Sequence, residues 1–197
     1  MAALERHDDD PTAADDLDAL DRRTLLAAQR DLRAFAPIYQ RHHQAIFGYC
    51  YRRLRDRELA ADATSVTFSK ALTGVHGYRS GSVPGWLFAI ARNVIVDLVR
   101  ANRRHTGLED AEAIPDADRL PDEVAIANDQ DRALHAAIQR LTPDQRAVVE
   151  LRLAGLTGPA IAEALGLSVG AVKSSQHRAY ARLRTFLRDE HPSGEGS

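Results

Sequence analysis

The sequence predicts an all-α protein, built as two small helical domains joined by a flexible acidic linker. Three observations predict it. Apolar residues recur at helical spacing along most of the chain, and strand-like alternation is nearly absent. Glycines, prolines and capping residues fall where such helices should begin and stop. Charge comes in blocks: residues 1–21 carry one Arg against eight acids, residues 22–104 fifteen Lys and Arg against five, residues 105–139 two against nine, and residues 140–188 eight against three. The formal net charge of −2 therefore conceals two basic blocks. Such blocks are the electrostatic footprint of phosphate binding, although well-solvated arginine-rich helices would look the same by charge alone.

Residues 1–21 are acidic and poor in apolar groups, too poor to offset ordering entropy, and disorder is expected there. A basic domain over 22–104 follows. Leu25, Leu32, Phe35, Ile38, Ile46, Tyr49 and Leu54 stand at roughly helical spacing, with Pro37 kinking or delaying the second helix. Asp56 can cap a third helix to about Leu72, with Leu59, Ala63, Val66 and Ala71 inward. "TGVHGYRSGSVPG", with four glycines and a proline, reads as a loop. Ser82 caps the next helix, Pro84 lies in its first turn, and Trp86, Leu87, Ile90, Val94 and Leu98 face the core.

Residues 105–129 hold prolines, acids and weak periodicity, as a tether would. In the second domain, 130–188, Thr142, Pro143 and Gln145 form a capping box at a helix start, and Gly155 ends that helix. Thr157 caps a short helix carrying Ile161, Ala162 and Leu165; Gly166 allows a left-handed turn, and Ser168 caps the last helix through Val172, Ala179, Leu183 and Phe186. Residues 189–197 are expected to be a disordered end.

A helix-turn-helix needs a small residue at the helix crossing, a glycine in the turn and apolar anchors; Ala162, Gly166, Leu167 and Val172 have that spacing. The second helix then offers Lys173, Ser174, Ser175, His177, Arg178 and Arg182 to a major groove. Lys and Arg would mostly hold phosphates, whereas Ser, His and Arg can also read base edges.

The stretch "LTPDQRAVVELRLAGLTGPAIAEALGLSVGAVKSSQHRAYARLR" resembles region 4 of the bacterial sigma-70 family. The earlier "FAPIYQRHHQAIFGYCYRRLRDRELAADATSVTFSKAL" and "GWLFAIARNVIVDLVRANRR" resemble its region 2. Two such regions in this order, with only a linker between them, resemble the extracytoplasmic-function (ECF) sigma factors. The resemblance implies a factor that brings RNA polymerase core to promoter DNA and melts it. It implies core binding by Asp62, Ser65, Val66 and Phe68 of "DATSVTF", where Ser65 and Val66 replace the family's usual Gln and Glu. It implies contacts to the −10 element, including a flipped base, by Tyr78, Arg79, Arg92, Asn93, Asp97 and Arg100, with Trp86 read as core rather than as a base platform. Recognition of the −35 element would fall to Lys173, Ser174, Ser175, His177, Arg178 and Arg182, Ser175 standing where arginine is common. The linker would either thread the polymerase cleft or serve as a tether. An anti-sigma partner is common among relatives.

A stand-alone helix-turn-helix regulator that never engages polymerase is the alternative. The basic "GWLFAIARNVIVDLVR" helix argues against it, being a poor sensor pocket and a good DNA surface. His42 and His43 are adjacent and cannot form an i, i+4 metal pair; they are expected to be exposed on polar helix faces. No nucleophile motif or phosphate loop is present, so neither enzyme activity nor a cofactor is expected. The single Cys50 excludes a disulfide framework, and no stretch approaches the roughly 20 apolar residues of a membrane span. A cytoplasmic location is expected.

Overall fold

The computed structural model describes residues 11–105 and 129–189. They form helices α1 (Pro11–Ala28), α2 (Ala36–Leu54), α3 (Arg57–Gly74), α4 (Val83–His105), α5 (Asp129–Gln139), α6 (Pro143–Leu153), α7 (Gly158–Leu165) and α8 (Val169–Asp189), with 3-10 turns at Leu32–Phe35 and Val75–Gly77. Among the described residues there is no strand. The linker expected over 105–129 and the tail expected over 189–197 lie almost wholly outside the described residues.

The disorder expected over 1–21 is corrected only for 11–21, where α1 starts at Pro11; its first ten residues lie outside the described residues. Composition counts charges without their partners, and Asp18 and Asp21 have them. Asp21 is fully buried, with one carboxylate oxygen 2.6 Å from His42 Nε2 and the other 2.7 Å from Arg41 Nη2 on α2. The Arg41 approach is an ion pair without hydrogen-bond alignment, since both of its atoms lack a hydrogen-bond partner. His42 is accordingly buried, contrary to the exposed position expected of it. Leu25 and Ala28 complete the inward face of α1.

Pro37 delays α2 rather than kinking it: it falls in the first turn, where its missing N–H costs no helical bond. Helix α2 ends on Arg55 in the left-handed region, φ 56°. The next residue, Asp56, caps α3 by accepting the Leu59 N–H at 2.9 Å.

The inward face of α3 is built from small residues and threonines, Ala60, Ala63, Thr64, Thr67 and Ala71, beside Phe68. The Thr64 and Thr67 hydroxyls donate to the carbonyls of Ala60 and Ala63 at 2.7 Å, so their burial leaves no orphan donor. Leu59 is therefore only half-buried and Val66 is 40% exposed, which corrects the inward position expected of both. Leu32, expected inward, is 51% exposed.

In the second region the capping box of Thr142 and Gln145 forms at α6, Thr157 caps α7 and Ser168 Oγ accepts the Ala171 N–H at the start of α8. Gly166 joins α7 to α8 at φ 66°, a conformation glycine adopts without steric cost. Leu167, expected to anchor that turn, is 41% exposed; Val172 is the buried anchor.

One hydrophobic core spans both regions. It joins Leu25, Ile38, Ile46, Leu54, Val83, Leu87, Phe88 and Val94 to Val148, Leu151, Ile161 and Val172. A smaller cluster, Ala137, Ile138, Leu141, Val149, Ala179 and Leu183, belongs to the second region alone. Helix α4 is the shared wall, packed against α3 on one side and α7 on another.

Candidate nucleic-acid interface

The second helix of the helix-turn-helix is positioned from below. Val172, Ala179 and Leu183 are buried, which fixes its rotation and turns Lys173, Ser174, His177 and Arg178 outward, all exposed. Lys173 and His177, and likewise Ser174 and Arg178, are four residues apart and form one stripe. Ser175 points the other way and is buried at 6% exposure, so it supports the helix and presents nothing to a groove. Arg182 is exposed but reaches back, its Nη1 donating to Gln145 Oε1 at 3.2 Å at the α6 capping box.

Two positioning residues escape the sequence reading. Arg152 donates to Gln176 Oε1 at 2.9 Å and to the Leu156 carbonyl at 3.2 Å, tying α6, the turn before α7 and α8 together. Nothing in the periodicity marks them, because both are polar residues 24 positions apart.

On α4, Arg92, Asn93, Asp97 and Arg100 are all exposed. Arg92 and Arg100, and Asn93 and Asp97, repeat at multiples of four and form a second polar stripe. Asp97 also meets Lys70 Nζ at 3.4 Å, a solvent-exposed pair of little energetic weight.

The loop before α4 is held by its own tyrosine. Tyr78 is buried, its ring 5.5 Å from that of half-buried Trp86, and its hydroxyl donates to the Gly81 carbonyl at 2.6 Å. Burial pushes the phenol up to about 12, with Asp18 and Glu163 adding to the shift, so it stays a protonated donor. This corrects the expectation that its face is offered to a base. Gln29, the residue after α1, clamps the same loop, donating to the carbonyls of Val75 at 3.0 Å and Tyr78 at 2.8 Å. Arg79 is exposed, its guanidinium bonded to the His76 carbonyl.

On α3, Asp62, Ser65 and Val66 share one exposed face, as i, i+3 and i+4. Phe68 does not join them. It is buried at 5% exposure among Phe35, Tyr39 and His43, with ring centroids 4.8 to 6.5 Å away. Tyr39, packed against Phe68 with ring centroids 4.8 Å apart, is itself 44% exposed.

Among the described residues no three His, Cys, Asp or Glu side chains gather as a metal ion would require, and no helix is long and apolar enough to cross a membrane.

Residues 38–105 match the family model of sigma-70 region 2, and residues 131–183 that of sigma-70 region 4. The ECF RNA polymerase sigma factor BldN of Streptomyces coelicolor is 32% identical over 162 residues, covering 80% of this chain; the chain spans 61% of that relative's length. The ECF RNA polymerase sigma factor SigX of Bacillus subtilis is 31% identical over 161 residues, 78% of this chain and 83% of its own. Among solved structures, CnrH in complex with the cytosolic domain of CnrY aligns with a TM-score of 0.64 at 25% identity, covering 86% of this chain and 97% of that one. The sigma factor RpoE of Bartonella quintana, in complex with the anti-sigma factor NepR, shares the fold at a TM-score of 0.59 and 24% identity, covering 78% and 96%. With both regions matched in order and relatives aligned across the length of the fold, the chain belongs to the sigma-70 family of RNA polymerase sigma factors, among its ECF members.

Proposed function

We propose that the chain acts in the cytoplasm as a promoter-specificity subunit of RNA polymerase, gripping promoter DNA at two separate points and performing no covalent chemistry. Sigma factors are non-enzymatic initiation factors. The observation that carries the residue assignments is the pair of exposed polar stripes on two different helices. Lys173, Ser174, His177 and Arg178 on α8 suit a −35 duplex, where a helix of a helix-turn-helix enters the major groove. Arg79, Arg92, Asn93 and Arg100 suit a −10 strand, which needs cations along its backbone and amides or guanidinium planes against its bases.

Polymerase core would dock on Asp62, Ser65 and Val66. Val66 supplies an apolar contact where the family usually has a polar one. Phe68 would act one step removed, by packing under that surface. Tyr78, Ser175 and Arg182 would likewise act by holding the loop and helix that carry the contacts. An anti-sigma partner belongs to this reading, since solved relatives of the same fold include one held by such a factor.

Run-off transcription with purified core polymerase and a promoter library tests the proposal. Promoter-dependent transcripts that require this chain are expected. Duplex binding without any core complex on size exclusion would instead indicate a stand-alone regulator.

A further inference from the structure

Four helices, two from each region, surround a cavity of about 120 Å³. Helix α2 lines it with Tyr49 and Arg53, four residues apart and so on one face. Helix α4 adds Arg92, Ile95 and Val96. Helix α6 adds Asp144, Arg146 and Ala147 near its start, and α7 closes the wall with Leu165. Tyr49 and Ile95 are each only 2% exposed, which puts them at the deep end.

The lining is of two kinds. Ile95, Val96, Ala147 and Leu165 make apolar walls, and against them stand three guanidinium groups and one carboxylate, that of Asp144. The next acid, buried Glu150, is already bonded to Arg53. Two of the arginines are fixed by the fold: Arg53 Nη1 donates to Glu150 Oε2 at 3.1 Å, and Arg146 Nη2 donates to the Gln139 carbonyl at 2.6 Å. Arg92 stands exposed at the mouth. Burial, and after it Glu150, pushes the Tyr49 phenol up, so it stays an O–H donor. Arg53 and Arg92 both act on that oxygen in the opposite sense, which places the hydroxyl among the guanidinium groups.

This combination selects a class of ligand. Guanidinium forks match a carboxylate in geometry and in charge, and they repel a cation. A wholly polar ion such as phosphate would surrender water to the apolar walls without recovering those hydrogen bonds. Size sets the other limit: a cavity of about 150 Å³ takes a benzene-sized molecule, so this one suits about five to seven heavy atoms.

We propose that the cavity is an effector site for a small organic carboxylate with an apolar body, its carboxyl group among Arg53, Arg92 and Tyr49 and its hydrocarbon end against Ile95, Val96 and Leu165. The walls come from both regions, so a bound ligand stabilises the whole fold by mass action. Neither promoter DNA nor polymerase takes part in this recognition, and its test is independent of the promoter reading.

The full chain is titrated calorimetrically with isovalerate, a carboxylate of that size, and in parallel with its uncharged amide and with inorganic phosphate. Isovalerate should bind with a Kd below about 1 mM. At about a hundredfold excess over Kd it should raise the Tm by about 5 °C. The amide and phosphate should each bind at least about tenfold more weakly, lacking the charge or the apolar body. Ala147→Leu, which fills the cavity from α6, should abolish binding, and Arg92→Gln should weaken it about fivefold. Circular dichroism checks that each variant is folded; should Ala147→Leu not fold, Arg92→Gln carries the test. Absence of both heat and thermal shift with isovalerate overturns the site, as does parental affinity in the folded variants. Equal binding of the amide or of phosphate overturns the carboxylate assignment.

Discussion

The Arg53 guanidinium of α2 donates to the Glu150 carboxylate of α6 at 3.1 Å, bridging the two regions across 97 residues of sequence, with Glu150 almost wholly buried and Arg53 about one-fifth exposed. Removing Arg53 leaves the buried Glu150 carboxylate with only Arg146 and Arg52 to offset its charge. Arg53→Ala should therefore destabilise the fold by about 3 kcal/mol, the low end for buried pairs. Urea denaturation should show the lowered midpoint.

Burial also sets a pH dependence. It raises the Glu150 carboxyl above its ordinary value of 4.5, against the opposing pull of Arg53, Arg146 and Arg52, with Tyr49 facing the same site. Burial outweighs the ion pair. The folded chain then binds this proton more tightly than the unfolded chain, so stability from this group falls as pH rises from 4.5 through the raised value. Urea titrations in pH steps upward from that point should show the decline. Glu150→Gln should flatten it relative to the parent chain.

A buried cluster should likewise hold α1 in place. Asp21 is completely enclosed beside His42 and Arg41, and Asp21→Ala strands an arginine near the core. A loss of about 3 kcal/mol is expected, with Asp21→Asn intermediate because it keeps an acceptor for His42. Hydrogen exchange should localise the damage to α1 and the Tyr78 loop, which Gln29 clamps.

On the recognition helix the structure separates neighbours. Arg178→Ala should weaken duplex promoter binding by 1–3 kcal/mol, roughly five- to 150-fold, and leave core association intact. Ser174→Ala should weaken it less. Ser175→Ala, at a buried position, should leave DNA affinity within twofold and move only thermal stability. Fluorescence anisotropy with a selected duplex distinguishes these outcomes.

These residues also show which parts of the molecule could be read before the structure. Caps are local, so Asp56, Thr142, Thr157 and Ser168 announce their helices within three residues of themselves. The helix-turn-helix was legible for the same reason. Side-chain rotation about a helix is not local. Val66 looks like core by hydrophobicity and faces out, because threonines with satisfied hydroxyls take the inward places of α3, and Leu32 is exposed in the turn before α2. Ser175 and Tyr78 look like contacts by chemistry and face in. What periodicity could not reach were the long-range pairs: Glu163 with Ser82, Arg53 with Glu150, and Asp21 with His42. In each, one polar partner makes sense only beside another distant in sequence.

A permanganate and nuclease footprint of the reconstituted holoenzyme on a selected promoter tests the two-point grip most directly. Two protected patches about 25 base pairs apart are predicted, with unstacked, permanganate-reactive thymines only in the downstream one. A single protected patch with no reactive thymine, in the presence of core polymerase, would contradict it.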